Sequence, residues 1–250
     1  MILGISGKKG SGKSTAANII HGLVLKKLHL IQDWTIGNSG QLLIKTTRSD
    51  GEVGWGELWM SRQDSQFVEY AENNIWPYVK LYSFADSLKA ICHDLFDIPF
   101  RCLHGTDEEK NQLQQHLLWE NMPGVTSDFA PDGMVFHEAG PMTAREFMQF
   151  FGTEIGRRMY APIWTGSTIK RILRDGSELS IVADVRFENE VRAIEDAGGI
   201  VLRLTRDEHS DSHESETCLD NYAFKEFIHN NGKSLQEFVD EVVKFYGRIS

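Results

Sequence analysis

The sequence lacks any run of about 18 apolar residues, and with it a membrane-spanning helix. It has only three cysteines, Cys92, Cys102 and Cys218. Their odd number and their spacing suit neither a disulfide framework nor a metal set, so a reduced chain with free thiols is expected. Positive charge is scarce too: 26 Lys and Arg stand against 36 Asp and Glu, a formal net charge of −10. That deficit argues against a broad footprint on duplex nucleic acid, although a few local arginines suffice for a small anion. No internal repeat and no low-complexity tract is present. No segment with the features of a signal peptide precedes the first strand, and a cytoplasmic setting is expected. The Asn-Lys-x-Asp element with which GTPases read guanine is also missing. Asp196-Ala197-Gly198-Gly199 fits Asp-x-x-Gly by letters, but it falls at a helix end. What the chain does have is 250 residues at 41% hydrophobic content, enough for one sizeable core.

Within it, Gly7-Lys8-Lys9-Gly10-Ser11-Gly12-Lys13-Ser14 matches G-x-x-x-x-G-K-[ST], the phosphate-binding loop. The run 1–6 before it is short and apolar, as a buried parallel strand is. After it, Ala16, Ile20, Leu23, Val24, Leu28 and Ile31 recur at helical spacing. The loop therefore joins a strand to a helix N-terminus, where backbone N–H groups and the helix dipole favour a phosphate. Glycines at 7, 10 and 12 allow positive φ and close approach. The site expected from the motif is Gly10, Ser11, Gly12, Lys13, Ser14 and Thr15. Lys13 reaches the outer phosphates, Ser14 places its hydroxyl on Mg²⁺, and Thr15 adds a donor.

Strands at 79–83, 179–184, 200–204 and 223–228 alternate with helices, which predicts a parallel sheet covered on both faces. The expected fold is a three-layer α/β fold in a single domain, 1–250. Residues 33–62 read as a β-hairpin insertion around Arg48-Ser49-Asp50-Gly51. Residues 100–175 read as a largely helical region. Capping boxes at Thr106, Thr143 and Ser234 open helices, the first reaching about Trp119. A helix after Ser83 carries Leu88, Ile91, Cys92 and Leu95 on one face.

Ligands on such sheets bind beyond the carboxyl ends of the strands. Asp184 ends an apolar strand there, as a carboxylate for Mg²⁺ or its water shell, or else as a cap for the next helix. Arg186 is a phosphate clamp or a partner of Glu188 or Glu190. Arg145, Gln149, Gly152 and Gly156 fall at i, i+4, i+7 and i+11, one face of a helix. The two glycines signal close packing there, by a neighbouring helix or by a nucleotide. Phe147, Phe150 and Phe151 on the opposite side read as core. His209, Asp211 and His213 lack a fourth well-spaced zinc ligand and read as a solvated loop or lid.

Taken together, several segments resemble one family, the phage-type deoxynucleoside monophosphate kinases. They are the loop at 7–15, Ser83-Phe84-Ala85-Asp86-Ser87-Leu88-Lys89, and Arg145-Glu146-Phe147-Met148-Gln149-Phe150-Phe151-Gly152-Thr153-Glu154. To these are added Asp184-Val185-Arg186-Phe187-Glu188-Asn189-Glu190 and Asp211-Ser212-His213-Glu214-Ser215-Glu216. The family often has Pro where this chain has Ser87, and the 33–62 segment has no counterpart that aligns. The resemblance implies a P-loop kinase fold with 100–175 as its acceptor-binding or lid region, ATP with Mg²⁺ as donor and a deoxynucleoside 5′-monophosphate as acceptor, in the host cytoplasm if the source is a virus. It implies that Arg145, Gly152, Thr153, Trp164, Asp184, Arg186 and Glu190 face the acceptor, and that Phe84, Ala85, Asp86 and Lys89 form part of its pocket. Gln149 joins them from its helix face. Lys13, Arg145, Asp184 and Arg186 are then the catalytic candidates. Arg157, Arg158 and Arg206 are candidates for the transferring phosphoryl or the adenine of ATP. A homodimer suits such kinases. The competing readings are another small-molecule P-loop kinase, such as one resembling dephospho-coenzyme A kinase, and a non-catalytic nucleotide-binding protein.

Overall fold

A computed structural model of the chain describes residues 1–47, 51–60, 65–122, 137–206 and 218–250. Its strands are β1 (Ile2–Gly7), β2 (Asp33–Ile36), β3 (Leu42–Thr47), β4 (Val53–Glu57), β5 (Val79–Tyr82), β6 (Leu113–Leu118), β7 (Pro141–Thr143), β8 (Leu179–Val185), β9 (Ile200–Thr205) and β10 (Glu226–His229). Its α-helices are α1 (Lys13–Lys27), α2 (Ser65–Asn74), α3 (Asp86–Phe96), α4 (Phe100–His104), α5 (Asp107–Lys110), α6 (Ala144–Gln149), α7 (Ile163–Asp175), α8 (Glu188–Asp196) and α9 (Leu235–Ile249). The chain divides into two compact units, Met1–Ser83 with Ile169–Ser250, and Phe84–Thr168.

The first unit is built on a five-stranded sheet in the order β10-β9-β1-β8-β5, parallel throughout. Alternation along β1 explains its layers. Leu3 and Ile5 share a core with Ala16, Ile19 and Ile20 of α1 and with Val242 and Phe245 of α9. Gly4, between them, turns to the other face, where a Cβ would come within 2.7 Å of Ile194 in α8. Helices therefore cover both faces, and β1 lies between β8 and β9. The expected three-layer α/β fold is the observed one.

The expected hairpin at β3 and β4 forms, and β2 adds a third antiparallel strand to it. The turn residues 48–50 lie outside the described residues. This small sheet is fastened to α1: Ile36 and Leu42 join the main core, and a Cβ on Gly22 would come within 2.6 Å of the Trp34 ring.

The second unit has its own core, formed by Leu88, Cys92, Leu103, Met142, Phe147, Phe150 and Trp164 among others. Burial pushes the Cys92 thiol up to about 12, which leaves it unreactive. Phe147 stacks on Phe151 with ring centroids 5.9 Å apart, as expected of core aromatics. Three sequence expectations are corrected here. The Thr106 capping box is present, but its helix ends at Lys110 rather than near Trp119. Beyond it the chain becomes β6, paired with β7 through Leu113↔Thr143 and Gln114↔Met142. A capping box reports where a helix starts, and here distant pairing to the buried Met142 decides where it stops. Leu95 is 71% exposed rather than on the buried face of α3. After α6 the helix widens to i→i+5 bonding over Phe150–Arg157. Gln149 is consequently exposed while Gly152 and Gly156 are buried, so the four residues do not share the face an uninterrupted α-helix implies.

His21 on α1 has no exposed surface, and its Nδ1 lies 2.9 Å from the Ala17 carbonyl oxygen. Burial, partly offset by that hydrogen bond, lowers its pKa to about 4. His104 in the second unit is also lowered to about 4, chiefly by burial and then by Lys89. Both are favoured neutral in the fold, whereas the unfolded chain takes up the protons below about 6.5. Their contribution is complete above that pH and is lost as pH falls from about 6.5 toward 4. The urea midpoint is therefore expected to fall over this range, and His21→Leu to flatten part of the fall. Parallel pH profiles of parent and variant would refute the assignment to His21.

Candidate functional site

β1 ends at the centre of the sheet, and the next residues must reverse into α1. Gly10 and Gly12 make that possible at φ 78° and 99°, in the left-handed region. Gly7, by contrast, is nearly extended at φ 158°, and its need is space: a Cβ would come 2.7 Å from the Leu204 carbonyl oxygen. Above Gly12 lie the Phe238 ring and the Asn230 amide, 3.0 Å and 3.2 Å from where a Cβ would be. Asn230 Nδ2 also donates to the Ser11 carbonyl at 3.1 Å. The first rung of α1 runs from Ala16 N–H to the Gly12 carbonyl. The N–H groups of Ser14 and Thr15 thus lie ahead of the helix ladder, at the positive end of its dipole.

Lys13 folds back over the loop, donating from Nζ to the carbonyls of Gly7 at 2.6 Å and Lys8 at 3.0 Å. Asp184, at the carboxyl end of β8, lies 3.8 Å from the same ammonium. Parallel pairing of β1 with β8 brings these two together. Arg186 Nε donates to both carboxylate oxygens of Asp184, at 3.0 and 2.9 Å. Asp184 is thus a side-chain partner of Arg186, two positions before it. Glu188 pairs with Arg192. The buried Glu190 carboxylate accepts from the backbone N–H groups of Arg186 at 2.8 Å and Phe187 at 3.2 Å, which fixes the start of α8. Lys13, Asp184 and Arg186 are one cluster.

A cavity of about 480 Å³ opens beside this cluster, lined by Gly10, Gly12, Lys13, Ser14, Thr15 and Arg206 and by residues beyond β2 and β10. Arg206 Nη1 reaches the Gly10 carbonyl at 3.4 Å. The set suits a polyphosphate: the ammonium groups of Lys13 and Lys233, the Arg206 guanidinium, the hydroxyls of Ser14 and Thr15 and outward-facing amides, with no carboxylate among the lining residues.

The remaining candidates belong to the second unit. Phe84 is buried and Asp86 lies in the first turn of α3, ahead of Lys89. Arg145 Nη2 donates to Asp107 at 2.6 Å. Thr153 and Gln149 are exposed. The close packing signalled by the glycines is met by side chains: Leu88 lies 2.7 Å from a Cβ on Gly152, and Trp164 2.6 Å from one on Gly156. Trp164 Nε1 donates to the Gly152 carbonyl at 2.9 Å. Arg158 pairs with Glu154 at 2.7 Å. His209, Asp211 and His213, and the 211–216 motif, lie outside the described residues. Among the described residues no three metal-ligating side chains gather, and no helix is long and apolar enough to cross a membrane.

Sequence reasoning missed Arg203. It sits on β9, 8% exposed, donating to Ser6 Oγ and to Asp220 Oδ1, each at 3.0 Å. Asp220 Oδ2 in turn holds Lys8 at 2.9 Å. One buried guanidinium thus ties the end of β1 and, through Asp220, the phosphate loop. The available signal was a lone charge inside the apolar run 200–204.

The profile of the deoxynucleotide monophosphate kinase family matches residues 90–242. A protein of Acanthamoeba polyphaga mimivirus, provisionally named a deoxynucleotide monophosphate kinase, is 26% identical over 176 residues. The alignment covers 64% of this chain and 79% of the viral protein. The chain belongs to the deoxynucleotide monophosphate kinase family. The matched stretch holds Arg145, Asp184, Arg186 and Arg203 and begins after the phosphate loop, whose assignment rests on its motif and its geometry.

Arg203→Met removes the hydrogen bonds to Ser6 and Asp220 while keeping an unbranched chain. Hydrogen–deuterium exchange is expected to quicken at the amides of 7–13 and to stay unchanged in β5. Unaltered exchange in the loop would show that Arg203 does not hold it.

Proposed function

We propose that the protein transfers the γ-phosphoryl group of ATP to a deoxynucleoside 5′-monophosphate, giving the diphosphate and ADP. A bond forms between an acceptor phosphate oxygen and the γ-phosphorus, and the bond from that phosphorus to the β,γ-bridging oxygen breaks. The observation that carries the reading is the Lys13–Asp184–Arg186 cluster at the carboxyl ends of two neighbouring parallel strands. Family membership supports it from a separate direction.

The acceptor is already an oxyanion at neutral pH, so no strong general base is needed. The physical problem is to bring two anions together in line. Lys13 and the amides opening α1 hold the donor triphosphate. Arg206 flanks it at the loop. Ser14, with Asp184 acting directly or through water, would hold Mg²⁺, which when bound neutralises charge on the donor phosphates. Arg186 turns from Asp184 to the acceptor phosphate, where its planar fork gives direction as well as charge. We propose the same role for Arg145, which would give up its pairing with Asp107. Both partners of that pair are substantially exposed, at 39% and 66%, so it is cheap to exchange. Phe84, Ala85, Asp86, Lys89, Gln149 and Thr153 are the proposed acceptor side, and residues 84–168 the acceptor-binding unit. Gly152 and Trp164 support that unit by packing, and Glu190 caps α8 next to Arg186.

A coupled assay for ADP release tests this across dAMP, dGMP, dTMP, dCMP and modified pyrimidine monophosphates, with dephospho-coenzyme A as a control acceptor. ADP release should depend on at least one deoxynucleotide and not on the control. Release with dephospho-coenzyme A alone, or with none of the acceptors, would overturn the proposal. Lys13→Ala should lower turnover by at least ~100-fold with the melting transition retained, since preorganised charge on the transferring group is worth several kcal/mol. Full activity in that variant would remove the loop from the chemistry.

A further inference from the structure

The small sheet β2–β4 brings a tight turn, residues 37–41, to the edge of the phosphate-loop cavity, where Asn38, Ser39 and Gly40 form part of the lining. The turn is locked from within. Gly37 N–H donates to the Gln41 carbonyl and Gly40 N–H to the Gly37 carbonyl, each at 2.9 Å. Gln41 Oε1 accepts from Ser39 N–H at 3.1 Å and from Ser39 Oγ at 2.6 Å. It is also locked onto α1. Asn18 Nδ2 donates to the Gly40 carbonyl at 2.9 Å. Gly40, at φ 83°, lies so close to Thr15 that any Cβ would meet its Oγ1. With Ile36 and Leu42 in the main core on either side, the turn cannot swing away without opening that core.

One side chain of this turn has no structural task. The Asn38 amide is exposed and hydrogen-bonds to no described residue. Phosphates are held by cations and backbone amides, and those are already supplied by residues 10–15. A neutral carboxamide offers one donor edge and one acceptor edge, the pairing that a nucleobase or a sugar hydroxyl presents. Because the turn is rigid before any ligand arrives, little ordering entropy opposes such a contact.

We propose that the 37–41 turn is the nucleoside-binding wall of the phosphate-loop site, with Asn38 hydrogen-bonding the base or sugar of the donor nucleotide. This rests on the reading of the loop as the donor triphosphate site, and the experiment separates the two. Dissociation constants are measured by titration calorimetry on the full chain, with Mg²⁺, for ATP and for inorganic tripolyphosphate. Parent protein should bind ATP more tightly than tripolyphosphate. Asn38→Ala, an exposed change that should preserve the melting transition, is expected to weaken ATP by roughly tenfold, the value of one well-formed hydrogen bond, and to leave tripolyphosphate unchanged. If the variant weakens neither ligand, or both equally, the wall is refuted while the loop stands. If the parent binds tripolyphosphate as tightly as ATP, the same holds. If the parent binds neither, the donor-site reading fails and this inference fails with it.

Discussion

The site depends on one backbone constraint, the left-handed turn at Gly12. At φ 99° the chain leaves β1 and starts α1 within a few residues. A residue with a Cβ is penalised there twice, by the conformation and by the Phe238 ring and Asn230 amide lying over it. Those two neighbours come from the last part of the chain, beyond β10, and the turn is thereby clamped between the first strand and the C-terminal helix. The consequence is positional. Ser14 and Thr15 reach the end of the central strand with their N–H groups pointing out of the sheet edge. Lys13 comes within 3.8 Å of an aspartate 171 positions further along. β1 can do this only because it pairs with β8 on one side and β9 on the other. Each neighbour delivers a charged residue: Asp184 from β8 at the loop, and Arg203 from β9 beneath it.

Most of this was open to a reading of the residues alone. Short apolar runs separated by helical periodicity specify parallel strands nearly without ambiguity, and the strands at 2–7, 79–82, 179–185 and 200–205 lie where that pattern puts them. The boxes at Thr143 and Ser234 form with both reciprocal hydrogen bonds. What escaped has a physical reason in each case. β6 carries Gln114, Gln115 and His116, with no strand-like alternation, and its partner β7 is far along the chain, so a local cap pointed the wrong way. β2 is four residues long and exists because Trp34 and Ile36 dock on α1, which no local pattern displays. The i→i+5 stretch over Phe150–Arg157 follows from accommodating Leu88 and Trp164 against Gly152 and Gly156. It moved Gln149 away from residues that helical arithmetic had grouped with it. Asn38 escaped because an asparagine in a turn is ordinary; only the cavity beside it makes it distinctive.

The chain carries a net charge of −10, yet the proposed reaction brings together two anionic nucleotides. The local geometry resolves this tension. Four cations around the loop already have carboxylate partners: Lys13 and Arg186 share Asp184, and Lys8 and Arg203 share Asp220. These carboxylates keep the side chains ordered and suppress mutual repulsion before any ligand binds. They also set a threshold. A singly charged anion offers Arg186 little that Asp184 does not, because the exchange replaces one carboxylate-type contact with another. A phosphate dianion brings more charge and three oxygens to the same planar fork, and tips the exchange. On the proposed reading, carboxylate pairing at the site thus acts as a filter on ligand charge.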